Sequence, residues 1–154
     1  MDVRDVMTKD PISIEPDALV GTAIDVMVER KVRHLPVVDE KGAVVGIITD
    51  RDLRSAALAP ALEQYLSKAA QRRLRGVGAT LENLRVKDAM TRSPVTTKSD
   101  VPVTQAAALM LEAHIGSLPV VDDGKLVGIV TDRDAVKALA ARVPALQRLP
   151  ALLW

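Results

Sequence analysis

Residues 3–39 lie on residues 86–122 without a gap, and residues 42–52 lie on 124–134. The first stretch gives 15 identities in 37 positions and the second gives 8 in 11. Agreement at that level reports an internal duplication, which limits the possible folds more than any other feature of the chain. Two copies are too few to stack as a solenoid, so the expected solution is two units packing apolar faces about a pseudo-twofold axis. The identical pairs include Val3/Val86, Asp5/Asp88, Met7/Met90, Thr8/Thr91, Pro11/Pro94 and Met27/Met110. LPVVD recurs at 35–39 and 118–122, and Thr-Asp-Arg-Asp at 49–52 and 131–134.

Each copy reads as β-α-β-β-α, giving an α/β (α+β) fold class. ISI (12–14) and VTT (95–97) are short β-type segments after a proline. Leu19, Ala23, Val26, Met27 and Arg30 then follow the helical period, with Asp17 as the expected N-cap. In the second copy Asp100 takes the cap region and Pro102 suits the first turn. LPVVD pairs with VVGIIT (44–49) or LVGIVT (126–131) as a hairpin, because Asp39–Gly42 and Asp122–Gly124 supply tight-turn residues. Both strands are almost continuously apolar, so both faces should be covered. TDRDLRSAAL and TDRDAVKALAAR start helices, the second stopping before Pro144. The expected division is a first domain at 1–58, a helical linker at 59–85, a second domain at 86–143 and a tail at 144–154. The linker is broken near Gly76–Gly78, and its run QRRLR reads as a solvated helix face. The apolar tail is expected to pack on the linker helix or on a second subunit.

Composition narrows the function. The 154 residues carry 21 basic and 20 acidic side chains, which argues against DNA binding by overall charge. Tyr65 and Trp154 are the only aromatic residues, so there is no stacking platform for single-stranded nucleic acid. With no cysteine and two histidines, thiolate and His-rich metal sites are not available, and no metal is expected. Asp50 and Asp52 could hold Mg²⁺ with a nucleotide phosphate, but acids at a helix start more often cap it. No apolar run approaches a membrane span, and MDVRDVMTKD lacks the apolar stretch of a signal peptide. Gly-x-Ser-x-Gly, Walker A and His-x-x-x-His patterns are missing. These features lead to the expectation of a cytoplasmic protein that is not an enzyme and binds neither membrane nor nucleic acid.

Thr49-x-x-Asp52 and Thr131-x-x-Asp134 fit the capping-box spacing, with the acid at the positive end of the helix. The same carboxylates, at the mouth of a strand–helix turn, can accept two hydrogen bonds from a cis-diol such as the ribose 2′ and 3′ hydroxyls. Arg51 or Arg133 can then pair with a phosphate. Gly46 and Gly128 interrupt strands, where glycine is unfavourable unless something approaches the backbone closely. A flat base sliding there against apolar side chains is one such approach. Residue types and spacing leave both readings open.

The order Val-x-Asp-x-Met-Thr, proline with a β-branched pair, LPVVD, then Gly-apolar-apolar-Thr-x-x-Asp occurs twice. It resembles a tandem pair of cystathionine β-synthase (CBS) domains, a Bateman module, expected here as a stand-alone pair. The resemblance covers residues 3–58 and 86–140. It implies a pseudo-twofold disc with two clefts between the units, binding adenosyl ligands: AMP, ADP, ATP, S-adenosylmethionine, NAD or dinucleotides. It further implies that Thr49 with Asp52, and Thr131 with Asp134, serve the ligand, the aspartate holding the ribose. Adenine would lie against Met7, Thr8, Pro11 and Ile12 in one cleft, and against Met90, Thr91, Pro94 and Val95 in the other. Val32, Arg33 and His34 border one cleft; Ile115, Gly116 and Ser117 border the other.

The last two triplets differ most between the copies. In relatives that bind phosphate a basic pair often precedes the LPVVD strand. Arg33 and His34 match that pattern, whereas Gly116 and Ser117 do not. The clefts are therefore expected to be electrostatically unequal, with phosphate contacts drawn from Arg33, His34, Arg51 and Arg133. His34 also reads as a packing or exposed residue, and Met7 and Met90 also read as core, as Met27 and Met110 do. The expected function is a regulatory sensor of an adenine nucleotide that transmits binding by conformational change. The alternative is a structural dimerisation module with non-functional clefts, suggested by the apolar tail and the Ala/Leu-rich helices. Both imply a homodimer, because one helix is apolar on more than one side (Ala106, Ala107, Leu109, Met110, Leu111). An unidentified regulated protein is the further partner expected.

Overall fold

A computed structural model describes residues 1–63 and 83–142, with residues 57–63 described by backbone alone. The linker from 64 to 82, with its QRRLR run, and the tail from 143 to 154 lie outside the described residues. In chain order the elements are α1 (Val3–Val6), β1 (Thr8–Lys9), α2 (Val20–Arg30), β2 (His34–Val38), β3 (Val44–Thr49) and α3 (Asp50–Glu63). They continue as α4 (Val86–Ala89), β4 (Thr91–Arg92), α5 (Val103–Glu112), β5 (Ser117–Asp122), β6 (Lys125–Thr131) and α6 (Asp132–Ala140). The class is mixed α and β, with two three-stranded antiparallel sheets, β1-β6-β5 and β2-β3-β4.

The chain forms two compact units, the first of Met1–Pro11 with Val95–Trp154 and the second of Ile12–Pro94. Units in space and repeats in sequence are cut at different points. The opening segment of each repeat is held by the other repeat. Thr8 and Lys9 of β1 pair with Ile129 and Gly128 of β6, and Thr91 and Arg92 of β4 pair with Ile47 and Gly46 of β3. Val3 and Val86, both fully buried, anchor these segments in the cores. The Val3 N–H donates to the Val101 carbonyl at 2.8 Å and the Val86 N–H to the Ala18 carbonyl at 2.9 Å.

The core of the second unit gathers Val20, Ala23, Met27, Leu35, Val37, Ile48 and Leu53. That of the first unit gathers Ala106, Met110, Leu118, Val120 and Val130. Leu35, Pro36 and Val37 are buried in succession, as are Leu118, Pro119 and Val120, so each strand is covered on both faces, as its apolar run predicts. A proline is tolerable because β2 and β5 are edge strands. The Pro36 carbonyl accepts from the Ile14 N–H and the Pro119 carbonyl from the Thr97 N–H, both at 3.0 Å, so the missing prolyl N–H faces away from the ladder. Ile14 and Thr97 each make one isolated parallel bridge, to Val37 and Val120, in place of the short strands expected at 12–14 and 95–97.

The expected helix caps are corrected. Leu19, with no side-chain bond, holds the cap position of α2, and Asp17 lies outside the helix, paired with Lys87 Nζ at 2.5 Å. Pro102 is the cap residue of α5 rather than a first-turn residue, and Asp100 precedes it. A backbone carbonyl from each exchanged segment does the work expected of those aspartates. Leu84 accepts from the Val20 N–H at 2.8 Å and Met1 from the Val103 N–H at 3.3 Å.

Candidate functional site

Each unit brings a strand end, a helix start and a borrowed segment to one place. In the second unit β3 ends at Thr49 and α3 begins at Asp50. The Thr49 N–H and hydroxyl both donate to Asp52 Oδ2 at 2.8 Å, and the Asp52 N–H donates to Thr49 Oγ1 at 3.3 Å. In the first unit the Thr131 N–H and hydroxyl donate to Asp134 Oδ2 at 2.9 and 2.7 Å, and the Asp134 N–H donates to Thr131 Oγ1 at 3.3 Å. The two turns agree within 0.1 Å. The capping-box reading therefore holds, and it uses one carboxylate oxygen. Among the described residues Oδ1 of Asp52 and Oδ1 of Asp134 accept no hydrogen bond, which leaves two lone pairs for an incoming donor.

The edge strand enters the same corner. The Asp50 N–H donates to the Arg33 carbonyl, and the Asp132 N–H to the Gly116 carbonyl, both at 3.0 Å. His34 stands opposite Thr49 in the ladder, and Ser117 opposite Thr131. Arg33 is exposed and His34 half-buried, while Ser117 is buried. Arg51 and Arg133 are both exposed. Arg54 pairs with Asp50 at 3.2 Å, and the equivalent position in the first unit is Val136. Val32 and Ile115 are half-buried, their N–H groups bonded to the Met27 and Met110 carbonyls at 3.1 and 3.0 Å.

The glycines have a neighbour that the sequence reading did not assign to them. A Cβ on Gly46 would overlap Met90 Sδ, and a Cβ on Gly128 would overlap Met7 Sδ. What approaches the strand backbone is thus a thioether of the borrowed segment, in the space suggested for a flat base. Met7/Met90 and Gly46/Gly128 are both identical pairs of the duplication, which marks the positions but does not say that one packs on the other. Met7 and Met90 are half-buried against the two cores, and Met27 and Met110 are core residues, 7% and 3% exposed.

Met7, Thr8 and Pro11 share the first unit with Thr131 and Asp134, and Met90, Thr91 and Pro94 share the second with Thr49 and Asp52. Ile12 is counted with the second unit and Val95 with the first, apart from the groups assigned with them. Among the described residues no cluster of three or more His, Asp or Glu could hold a metal ion. No helix among them is long and apolar enough to cross a membrane.

The sequence pattern of the CBS domain matches residues 3–59 and 86–141. Among curated proteins the chain is 38% identical over 134 residues to the inosine-5′-monophosphate dehydrogenase of Methanocaldococcus jannaschii. That covers 86% of this chain but only 22% of the enzyme, so the likeness is to one part of it. Among solved structures, CBSX2, known from Arabidopsis thaliana, was crystallised in complex with AMP. It is 32% identical at a TM-score of 0.72, covering 91% of this chain and 96% of that one. The CBS domain pair of protein MJ0100, solved with 5′-methylthioadenosine and S-adenosyl-L-methionine, is 28% identical at a TM-score of 0.76. It covers 93% of this chain and 98% of that one.

Proposed function

Because the chain belongs to the CBS-domain family and carries that domain twice, we propose that it is a regulatory module binding an adenosine-containing effector at its two strand–helix turns. One observation carries the reading. Asp52 and Asp134 each commit Oδ2 to the cap and keep Oδ1 unbonded among the described residues. A fixed acceptor at a helix start suits the vicinal hydroxyls of a ribose, and its bonds to Thr49 and Thr131 hold it ready without further ordering. Adenine lies beside Met7 or Met90 and the strand residues Thr8 or Thr91. AMP in CBSX2, and 5′-methylthioadenosine with S-adenosylmethionine in the MJ0100 pair, support this ligand class. ADP, ATP and NAD belong to it as well. Two or three charge-assisted contacts and a buried base, less the entropy of association, put dissociation constants at about micromolar to millimolar.

The module acts by changing shape on binding and so biasing a partner protein. It performs no chemistry of its own, and its working form is a homodimer. Replacing Asp52 or Asp134 by asparagine separates the two jobs of the carboxylate. The amide oxygen still accepts from threonine and keeps the cap, but the second atom becomes a donor and loses the ribose. Each site should lose about 10- to 150-fold in affinity, the equivalent of about 1.5–3 kcal/mol, while the melting temperature stays close to that of the parent chain. Calorimetry with AMP, ADP, ATP, NAD and S-adenosylmethionine reads the first and a thermal melt the second. Unchanged affinity in both variants overturns the ribose assignment.

A second reading, a dimerisation platform with silent sites, is favoured by one surface. In the first unit Val103 and Ala107 of α5 and Val136 and Leu139 of α6 line an apolar groove of about 360 Å³. Val136 and Leu139 are 61% and 66% exposed, and Leu111 of α5 is 77% exposed, apolar surface of the kind that protein partners cover. Under that reading assembly ignores nucleotides, which sedimentation with and without AMP distinguishes.

A further inference from the structure

We infer that Met7 and Met90 are a matched pair of modification sites for peroxide, and that converting either thioether to its sulfoxide releases the borrowed strand from the sheet it completes. That chemistry does not depend on what the strand–helix turns bind. The chain has no cysteine, so peroxide finds its most readily oxidised side chains among five methionines. Burial sorts the five. Met27 and Met110 lie in the cores at 7% and 3% exposure, and Met1, 49% exposed, belongs to neither core. Met7 and Met90 alone are half-buried and packed against a core. They combine an edge that solvent reaches with a packed side that a change of shape disturbs.

The packed side has no slack. The Met90 and Met7 sulfurs lie where a Cβ on Gly46 or Gly128 would be. Those glycines cannot retreat, because each sits in the middle strand of its sheet. Gly46 pairs with Val37 and Arg92, and Gly128 with Val120 and Lys9. Thr8, Lys9, Thr91 and Arg92 are all exposed, so the methionine just before them is the side chain that seats each two-residue strand. A sulfur lone pair attacks one oxygen of hydrogen peroxide, and the S–O bond forms as the O–O bond breaks. The departing hydroxide takes the proton from the new S–OH and leaves as water. Sulfur loses two electrons and the peroxide gains them. The product is larger and strongly polar at the atom that touches the glycine, and burying it unpaired among apolar side chains is unfavourable. The oxidised methionine therefore swings out, and the strand goes with it. Pro11 and Pro94 end these segments where the chain crosses from one unit to the other, so the modification acts on both crossings alike.

Dilute hydrogen peroxide, added to the whole chain, is the probe. Peptide mass spectrometry should show Met7 and Met90 oxidised at least about tenfold faster than Met27 and Met110, with Met1 as the reference for an unhindered thioether. Asp10 and Ser93 tie the strand ends down, their N–H groups donating to the Val127 and Val45 carbonyls at 3.2 and 3.3 Å. Amide exchange at these two residues should speed about tenfold or more after oxidation. The melting temperature should fall by about 3–8 °C. Methionine sulfoxide reductases of both epimer specificities should restore it. The variant Met7→Leu with Met90→Leu keeps apolar side chains of similar volume that peroxide does not oxidise, and under the same treatment it should hold its exchange pattern. Should that variant fail to fold, the peptide map and the exchange of the parent chain decide the matter without it. Oxidation of Met7 and Met90 no faster than that of the core pair overturns the inference. So does complete oxidation there with exchange at Asp10 and Ser93 unchanged, or a folded leucine variant that loses protection under peroxide as the parent does.

Discussion

The turn from β3 to α3 and the turn from β6 to α6 are the same object built twice, with different company. Threonine and aspartate reproduce each other's bonds within 0.1 Å. The residues at the start of β2 and β5 share nothing: Arg33 and His34 in one unit, Gly116 and Ser117 in the other. The contrast separates what the backbone needs from what a ligand sees. A strand that hands over directly to a helix needs its first-turn N–H groups satisfied, and a Thr-x-x-Asp box satisfies them wherever it occurs. Nothing in that need specifies the charge next door, so the flanking positions were free to diverge.

The strongest test of equivalence is at the glycines. Gly46→Ala and Gly128→Ala would each drive a methyl into a methionine sulfur of the borrowed segment. Each should destabilise by about 1–3 kcal/mol, the usual range for overpacking. Shortening the methionine, Met90→Ala with Gly46→Ala or Met7→Ala with Gly128→Ala, should recover part of that loss in a double-mutant cycle. Chemical denaturation reads the cycle. Additive losses in one unit but not in the other would break the equivalence, because the sulfur would then be a bystander there.

A smaller effect sits on the caps. Thr49→Ala and Thr131→Ala each remove a hydroxyl that accepts from the aspartate N–H and donates to Oδ2. About 1 kcal/mol is expected for each, and the two values should agree within a few tenths, since the geometry is shared. Unequal values would show that the flanking Arg33 and His34 supply support to the cap that Gly116 and Ser117 cannot.

Much of this architecture was legible because duplication repeats every signal. The LPVVD hairpins, their coverage on both faces and the helices starting at Thr-Asp-Arg-Asp follow from apolar runs and a capping box, which are local patterns. Two kinds of feature were not legible. The first is β1 and β4, each two residues long; no periodicity exists over two residues, and only pairing with a distant strand makes them β. The second is the capping of α2 and α5 by the Leu84 and Met1 carbonyls. Every residue carries a carbonyl, so no residue type announces it, and the visible acids Asp17 and Asp100 drew the assignment instead. At the strand–helix turns the capping bonds of Asp52 and Asp134 were readable from spacing, while the ligand roles of these acids and of the basic pair rest on the resemblance. The methionine over each glycine was not readable, since it depends on which segment crosses to which sheet.

The aspartate that closes LPVVD shows the same divergence on a finer scale. Asp39 Oδ1 accepts from the Lys41 and Ala43 N–H groups, both at 2.9 Å, and so ties its own turn. Asp122 Oδ1 accepts instead from the Ser99 N–H at 3.1 Å, tying the segment before α5 to the hairpin. Two sequence differences account for the change of role. The second hairpin turns on Asp123 and Gly124 alone, both at positive φ (50° and 77°), a geometry that needs no side-chain help. The position equivalent to Ser99 in the first repeat is Pro16, which has no N–H to offer Asp39. The Ser99 hydroxyl and N–H hold the Asp122 carboxyl below the usual carboxylate range. A depressed folded pKa gives stability that is fully present above the unfolded value, about 3.9, and is lost as pH falls through the folded one. Asp122→Asn should therefore melt slightly below the parent chain at pH 7, by less than the cap variants do. The gap should close as the pH drops below about 4, because both chains then present an uncharged group to Ser99. A gap that stays constant down to pH 2.5 would mean that Ser99 does not prefer the carboxylate, and the two aspartates would differ in partner but not in electrostatics.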